Sequence, residues 1–159
     1  MHERPCAGSI RFGDIRSEPA DVFATALTWA EEFFAREKPD TLIVEAMLPP
    51  TAMLNKTSRQ VRDRLAGLHG IFLGIARKRG VGEIVTVNVG DIRAHFIGDR
   101  MLKRHAAKTE TIRRCKALGW IVRDSDAADA CAVWSYACAL VDPRWGLRLS
   151  PLFNRAVAI

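Results

Sequence analysis

The sequence predicts a three-layer α/β domain, and three observations carry that prediction. Short, nearly continuous apolar runs alternate with longer segments whose apolar residues recur at helical spacing. The 159 residues are 48% hydrophobic and 26% charged, enough for one sizeable core and too few for a second full domain. The longest apolar stretch, residues 130–141, falls well short of the ~20 residues that span a bilayer. No basic, apolar and small-residue leader is visible at the N-terminus, so the expectation is one soluble, cytoplasmic domain over residues 1–159 with no membrane partner.

The elements follow in order. Residues 7–12 (AGSIRF) alternate small or apolar with polar side chains and then meet Gly13-Asp14, which predicts a short strand and a turn. Residues 21–37 place Val22, Phe23, Ala26, Leu27, Ala30, Phe33 and Phe34 at helical spacing behind Pro19, and Lys38-Pro39-Asp40 stops that helix. The run 41–46 (TLIVEA) reads as a strand buried on both faces, with Glu45 near its end. After Pro49-Pro50 a long helix over 58–78 puts Val61, Leu65, Leu68, Phe72 and Ile75 on one face. Arg77, Lys78 and Arg79 suit its negative end, and Gly80 closes it. Residues 83–88 (EIVTVN) predict another buried strand, 89–96 a short helix ending near Gly98, and 103–118 a basic helix. Residues 119–123 (GWIVR) predict a last strand, 126–141 an Ala-rich helix, and 142–159 an irregular tail.

Charge is distributed unevenly along this order. Residues 1–50 carry five basic and nine acidic side chains, a net of −4. Residues 51–116 carry fifteen basic against five acidic, a net of +10, and residues 117–159 balance at four and four. Such a block suits a polyanionic partner as well as an ordinary solvated helix face. Cys6, Cys115, Cys131 and Cys138 form no C-x-x-C pair. Cys131 and Cys138 share a helical face as small packers, and all four are expected to be reduced.

Several chemistries are set aside: the chain has no Walker-type phosphate loop, no G-x-G-x-x-G after a strand, no G-x-S-x-G elbow and no H-E-x-x-H pair. Three carboxylates stand out instead. Glu45 ends a strand expected to be buried, where an ionised acid costs several kcal/mol unless a positive group meets it. Asp126 and Asp129 share one face of a first helical turn, continued by Ala130, Val133 and Ala137, the face expected to pack on the sheet. A divalent cation relieves the repulsion of such a pair, and oxygen donors favour Mg²⁺ or Mn²⁺. The plainer alternative makes Asp126 a cap or dipole partner and Asp129 a solvated acid.

The arrangement resembles a known family. Glu45 in IVEAMLPP, the polar stretch Asn55-Lys56-Thr57-Ser58, Ile97-Gly98 followed by a basic segment with Lys108, and Asp126-Ala-Ala-Asp129-Ala at a helix start are similar to the RuvC-type Holliday junction resolvases. These belong to the RNase H-like superfamily, and the phage or prophage-type members resemble this chain most. The resemblance implies a mixed central sheet flanked by helices and an endonuclease that uses two divalent ions, Mg²⁺ or Mn²⁺. It assigns Glu45, Asp126 and Asp129 to catalysis and metal binding and Lys108 to phosphate contact, while Arg59, Arg62, Lys103 and Arg104, which lie in the basic block, are weaker candidates for backbone contact. It also implies branched or duplex DNA as partner and a homodimer. The family opens with a central strand bearing a first catalytic Asp, and no Asp precedes residues 7–12 here. The expectation is a chain missing its N-terminal strand, and Asp14, which follows the wrong strand, does not inherit that role. The alternative is a non-catalytic nucleic-acid-binding domain of the same fold.

Overall fold

The computed structural model describes residues 4–14, 16–47 and 58–149, with the side chains of 147–149 left aside. The chain forms two compact units. One is built from Ile10–Thr86, and the other from the described residues up to Ser9 together with those from Val87 onward.

The first unit contains α1 (Pro19–Glu37), β1 (Thr41–Glu45), α2 (Arg59–Lys78) and β2 (Glu83–Val87). Pro19 starts α1, where a missing N–H costs nothing. Lys38 ends it in the left-handed region at φ 44°, donating its N–H to the Phe34 carbonyl. The Ser58 hydroxyl caps α2 by accepting from the Val61 N–H. Ala30, Phe34, Ala76 and Val81 are buried, with Phe33, Ile71, Ile75 and Ile84 packed around them. Phe12, Trp29, Phe33 and Phe72 form a connected ring cluster with centroids 4.7 to 5.9 Å apart. The Arg64 guanidinium donates to the carbonyls of Asp14 and Ser17, tying the turn before α1 to α2.

Strands β1 and β2 pair in a small parallel sheet, entered by the Glu83 N–H donating to the Asp40 carbonyl at 3.2 Å. Two expected strands, residues 7–12 and 119–123, join no ladder among the described residues. The physical reason is clearest at the second. Gly119 lies at φ 70°, and the N–H groups of Gly119 and Trp120 turn back to the carbonyls of Lys116 and Cys115, so this backbone completes a helix end. Trp120 is then buried and Ile121 is 90% exposed. At the first segment Ile10 is half exposed, and the Ser9 hydroxyl donates to the Asp124 carboxylate. The expectation that β1 is buried on both faces also fails: its three middle residues are only half-buried, and Thr41 and Glu45 are exposed. With a single ladder neighbour, β1 is not enclosed as an inner strand would be.

The second unit contains α3 (Val89–Ile97), α4 (Arg104–Ala117), α5 (Ser125–Val141) and α6 (Arg144–Leu149). The Asn88 side chain caps α3 through the Gly90 N–H, and Gly98 at φ 77° ends it. Ala107, Thr111 and Cys115 recur every four residues on α4 and are buried. On α5 the buried residues are Ala127, Ala128, Cys131, Ala132, Ser135 and Cys138. Small side chains on both helices let the two backbones approach closely, and Cys115 and Cys131 meet there, which raises the Cys115 thiol. The face expected to pack, Ala130, Val133 and Ala137, is exposed at Ala130 and only half-buried at the other two. An Ala-rich helix carries almost no periodic signal, so small buried residues were indistinguishable from small exposed ones. The tail is helical over α6 where an irregular course was expected, because the Asp142 carboxylate accepts from the Arg144 N–H and Trp145 is buried beside Trp134. Residues 150–159 lie outside the described residues, as do Asn55, Lys56 and Thr57.

Candidate functional site

The acid pair follows a cap that differs from the plainer alternative, in which Asp126 itself is the cap or dipole partner. Asp124, not Asp126, is the N-cap of α5: its Oδ1 accepts from the N–H of Asp126 at 3.0 Å and of Ala127 at 2.8 Å. Asp126 is thereby freed to face outward, with its side chain 72% exposed. Asp129 lies one turn further on and is half-buried.

Lys108 reaches across from α4. Its Nζ donates to Asp126 Oδ1 at 2.9 Å and to Ser125 Oγ at 2.8 Å. The cation expected to contact phosphate thus sits on Asp126. The electrostatics divide the two acids. The hydrogen bond from Lys108 holds the Asp126 carboxyl below its ordinary range. Burial pushes the Asp129 carboxyl up, with Asp126 adding repulsion and Lys108, Arg93 and Arg104 partly offsetting it.

Arg93 on α3 was not singled out from the sequence. Its guanidinium donates to the Leu102 carbonyl at 3.2 Å and its charge acts on Asp129. The signal available was a lone cation between Ile92 and Ala94 on a short apolar helix. Lys103 and Arg104 are exposed at the start of α4, whose first turn has no acid and whose cap residue supplies no side-chain hydrogen bond. A helix start of that kind suits negative charge through its dipole.

The other expected residues fall in the first unit. Glu45 is exposed at the end of β1, so the burial cost argued for it does not arise. Arg59, at the start of α2, is 88% exposed and pairs with Asp63 at 3.6 Å, while Arg62 is half-buried. Asp14 is spent on its own turn, its Oδ1 accepting from the N–H groups of Arg16 and Ser17. Among the described residues, no group of three or more His, Cys, Asp or Glu converges as a metal site. The donor chemistry of Asp126 and Asp129 still suits a hard cation, since Mg²⁺ takes one or two carboxylates and fills its remaining positions with water and phosphate oxygens.

A second polar pair does not compete for the role. His95 Nε2 and Ser135 Oγ lie 3.0 Å apart, but Ser135 is fully buried and cannot reach a substrate. Burial lowers the His95 pKa, so the pair reads as a satisfied core contact.

The architecture is a RuvC-like α/β fold. The solved structure that shows this is RuvC from Thermus thermophilus, with a TM-score of 0.59 over 81% of this chain and 75% of that one, at 12% identity. Identity of that order speaks for the fold and not for residue roles. No protein-family profile and no curated protein sequence matches the chain. No helix among the described residues is long and apolar enough to cross a membrane.

Proposed function

We propose that this chain is a metal-dependent endonuclease of the resolvase type, acting on branched DNA as a cytoplasmic homodimer, with residues 1–159 forming one nuclease domain. The observation that carries the proposal is the contact of Lys108 with Asp126 at 2.9 Å, with Asp129 one turn beyond. A lysine beside two acids, on a RuvC-like fold, supports this reading because phosphodiester hydrolysis needs cations and carboxylates side by side. In this proposal Asp126 and Asp129 are the carboxylates that would hold Mg²⁺ or Mn²⁺. An ion held there would supply a nucleophilic water and stabilise the leaving oxygen.

The residues of the chain do the rest. On substrate entry Lys108 exchanges Asp126 for a phosphate oxygen. The exposed Asp126 is then free to ligate, and the N-terminal turn of α4, with Lys103 and Arg104, binds the neighbouring phosphate. Arg59 and Arg62 make backbone contacts that position the duplex.

A second reading, a nucleic-acid-binding domain without catalysis, is favoured by one observation: no group of three possible metal ligands converges among the described residues. Incubating the chain with a labelled synthetic four-way junction and Mg²⁺ or Mn²⁺ separates the two. The nuclease proposal expects cleavage that falls about a hundredfold or more in Asp126→Asn, the scale on which single electrostatic groups act. Salt-sensitive binding with no cleavage under either metal selects the second reading.

A further inference from the structure

We infer, resting on the phosphate contact proposed for Lys108, that Ser125 is a positioning residue whose hydroxyl keeps the Lys108 ammonium aimed as it exchanges Asp126 for a phosphate oxygen. Ser125 opens α5, directly after the cap residue Asp124. Its hydroxyl is not what caps the helix. Asp124 does that, with Oδ1 accepting from the N–H groups of Asp126 and Ala127 and Oδ2 accepting from the Ser9 hydroxyl. Both oxygens of the cap are thus engaged, and the Ser125 side chain is left for another use. Its Oγ accepts from Lys108 Nζ at 2.8 Å and donates to Asp126 Oδ1 at 3.2 Å. Lys108 closes the triangle, its Nζ donating to the same Asp126 oxygen at 2.9 Å.

The triangle sets what the exchange costs. An ammonium has three donors and no acceptor, so among the described residues Ser125 and Asp126 take two and leave a third for a substrate. A carboxylate holds the cation by charge, and in doing so offsets much of what would draw a phosphate to it. A hydroxyl is neutral, so it fixes Nζ in place and leaves the full charge to the incoming oxygen. The Lys108 side chain is 30% exposed against 72% for Asp126, so packing holds its stem and only the head needs direction. When Nζ turns from Asp126, the Ser125 hydroxyl serves both partners: it still accepts from Nζ, and its own proton stays on Asp126 Oδ1. Arg93 is no substitute, because its guanidinium is turned to the Leu102 carbonyl at 3.2 Å. Without the hydroxyl, the ammonium has Asp126 alone, where its charge is least available to DNA.

The test uses the full chain and a dye-labelled synthetic four-way junction in a buffer without divalent metal, read by fluorescence anisotropy over a series of salt concentrations. Lys108→Met should weaken binding about tenfold, the size of one charged hydrogen bond, and lower the slope of log affinity against log salt by about 0.9, one phosphate contact. Ser125→Ala should reproduce most of both changes although it keeps the lysine. Ser125→Thr, which keeps the hydroxyl, should restore the parent values. In the double variant, Ser125→Ala should add less than about twofold to the loss from Lys108→Met. Alanine suits a first helical turn, so Ser125→Ala should melt within about 2 °C of the parent. Parent affinity and slope in Ser125→Ala overturn the positioning role and leave DNA binding intact. Fully additive losses in the double variant overturn it too, because Ser125 then acts without Lys108. A lower melting temperature with binding that Ser125→Thr does not rescue makes Ser125 structural and overturns the inference. No junction binding by the parent, or an unchanged salt slope in Lys108→Met, overturns the phosphate contact and the positioning role together.

Discussion

The two units solve the packing problem in opposite ways. The Ile10–Thr86 unit joins its helices through large rings, Phe12, Trp29, Phe33, Phe34 and Phe72. The unit from Val87 onward joins α4 to α5 through Ala107, Thr111, Cys115, Ala128, Cys131 and Ala132. Rings fill the volume around the contact of α1 with α2, which is itself close. Small side chains bring backbones together, and that approach is what lets Lys108 on one helix reach Asp126 on the next. The difference teaches that a site made of long charged side chains is supported here by the least bulky part of the core.

Mutations can break this contrast. The largest expected effect is Phe34→Ala, which should cost about 3–5 kcal/mol by emptying a ring-filled core, measured by urea unfolding. Ala128→Leu should cost about 1–3 kcal/mol for the reverse reason, because α4 leaves no room for added methylenes, and it should also separate Lys108 from Asp126. If Ala128→Leu is neutral, the close approach is not what supports the site.

The acid pair sharpens the contrast by pH. Asp129 is raised by burial, so the stability it contributes is present below the unfolded carboxylate range and is lost as pH rises through its folded pKa. Asp126 is lowered by Lys108, so its contribution is present above that range and is lost as pH falls through its folded pKa. Carboxyl-carbon NMR should therefore show Asp129 titrating at higher pH than Asp126. Asp129→Asn should raise the Tm relative to the parent more at about pH 7 than at about pH 3. Lys108→Met should move both acids upward. The smallest effect is Met101→Ala on unfolding, expected within about 0.5 kcal/mol because the side chain is exposed.

Local signals were largely legible in the sequence. Helical spacing and end residues located α1, α2, α3, α4 and α5 to within a residue or two, because Pro19, Ser58, Gly80 and Gly98 act on the chain next to them. Pairing was less legible. Residues 7–12 and 119–123 have strand-like composition, but a ladder requires a distant edge, and Gly119 and Trp120 spend their N–H groups on the end of α4. The site was legible in its residue types and not in its contacts. Three acids within six residues offered several caps, and only the backbone showed that Asp124 takes the role. That Lys108 meets Asp126 depends on two helices packing through alanines, for which the sequence carries almost no periodic signal.

The indole rings have a practical consequence. Of four tryptophans, Trp29 lies in the Ile10–Thr86 unit against Phe33, while Trp120, Trp134 and Trp145 form a chain of edge contacts at 5.6 and 5.2 Å in the other. Intrinsic emission is therefore weighted toward the unit that carries the acids, with excitation passing readily among its three rings. A protein with Trp29→Phe would report that unit alone. One retaining only Trp29 would report the ring-packed unit, so a single spectroscopic channel can follow each half of the molecule in turn.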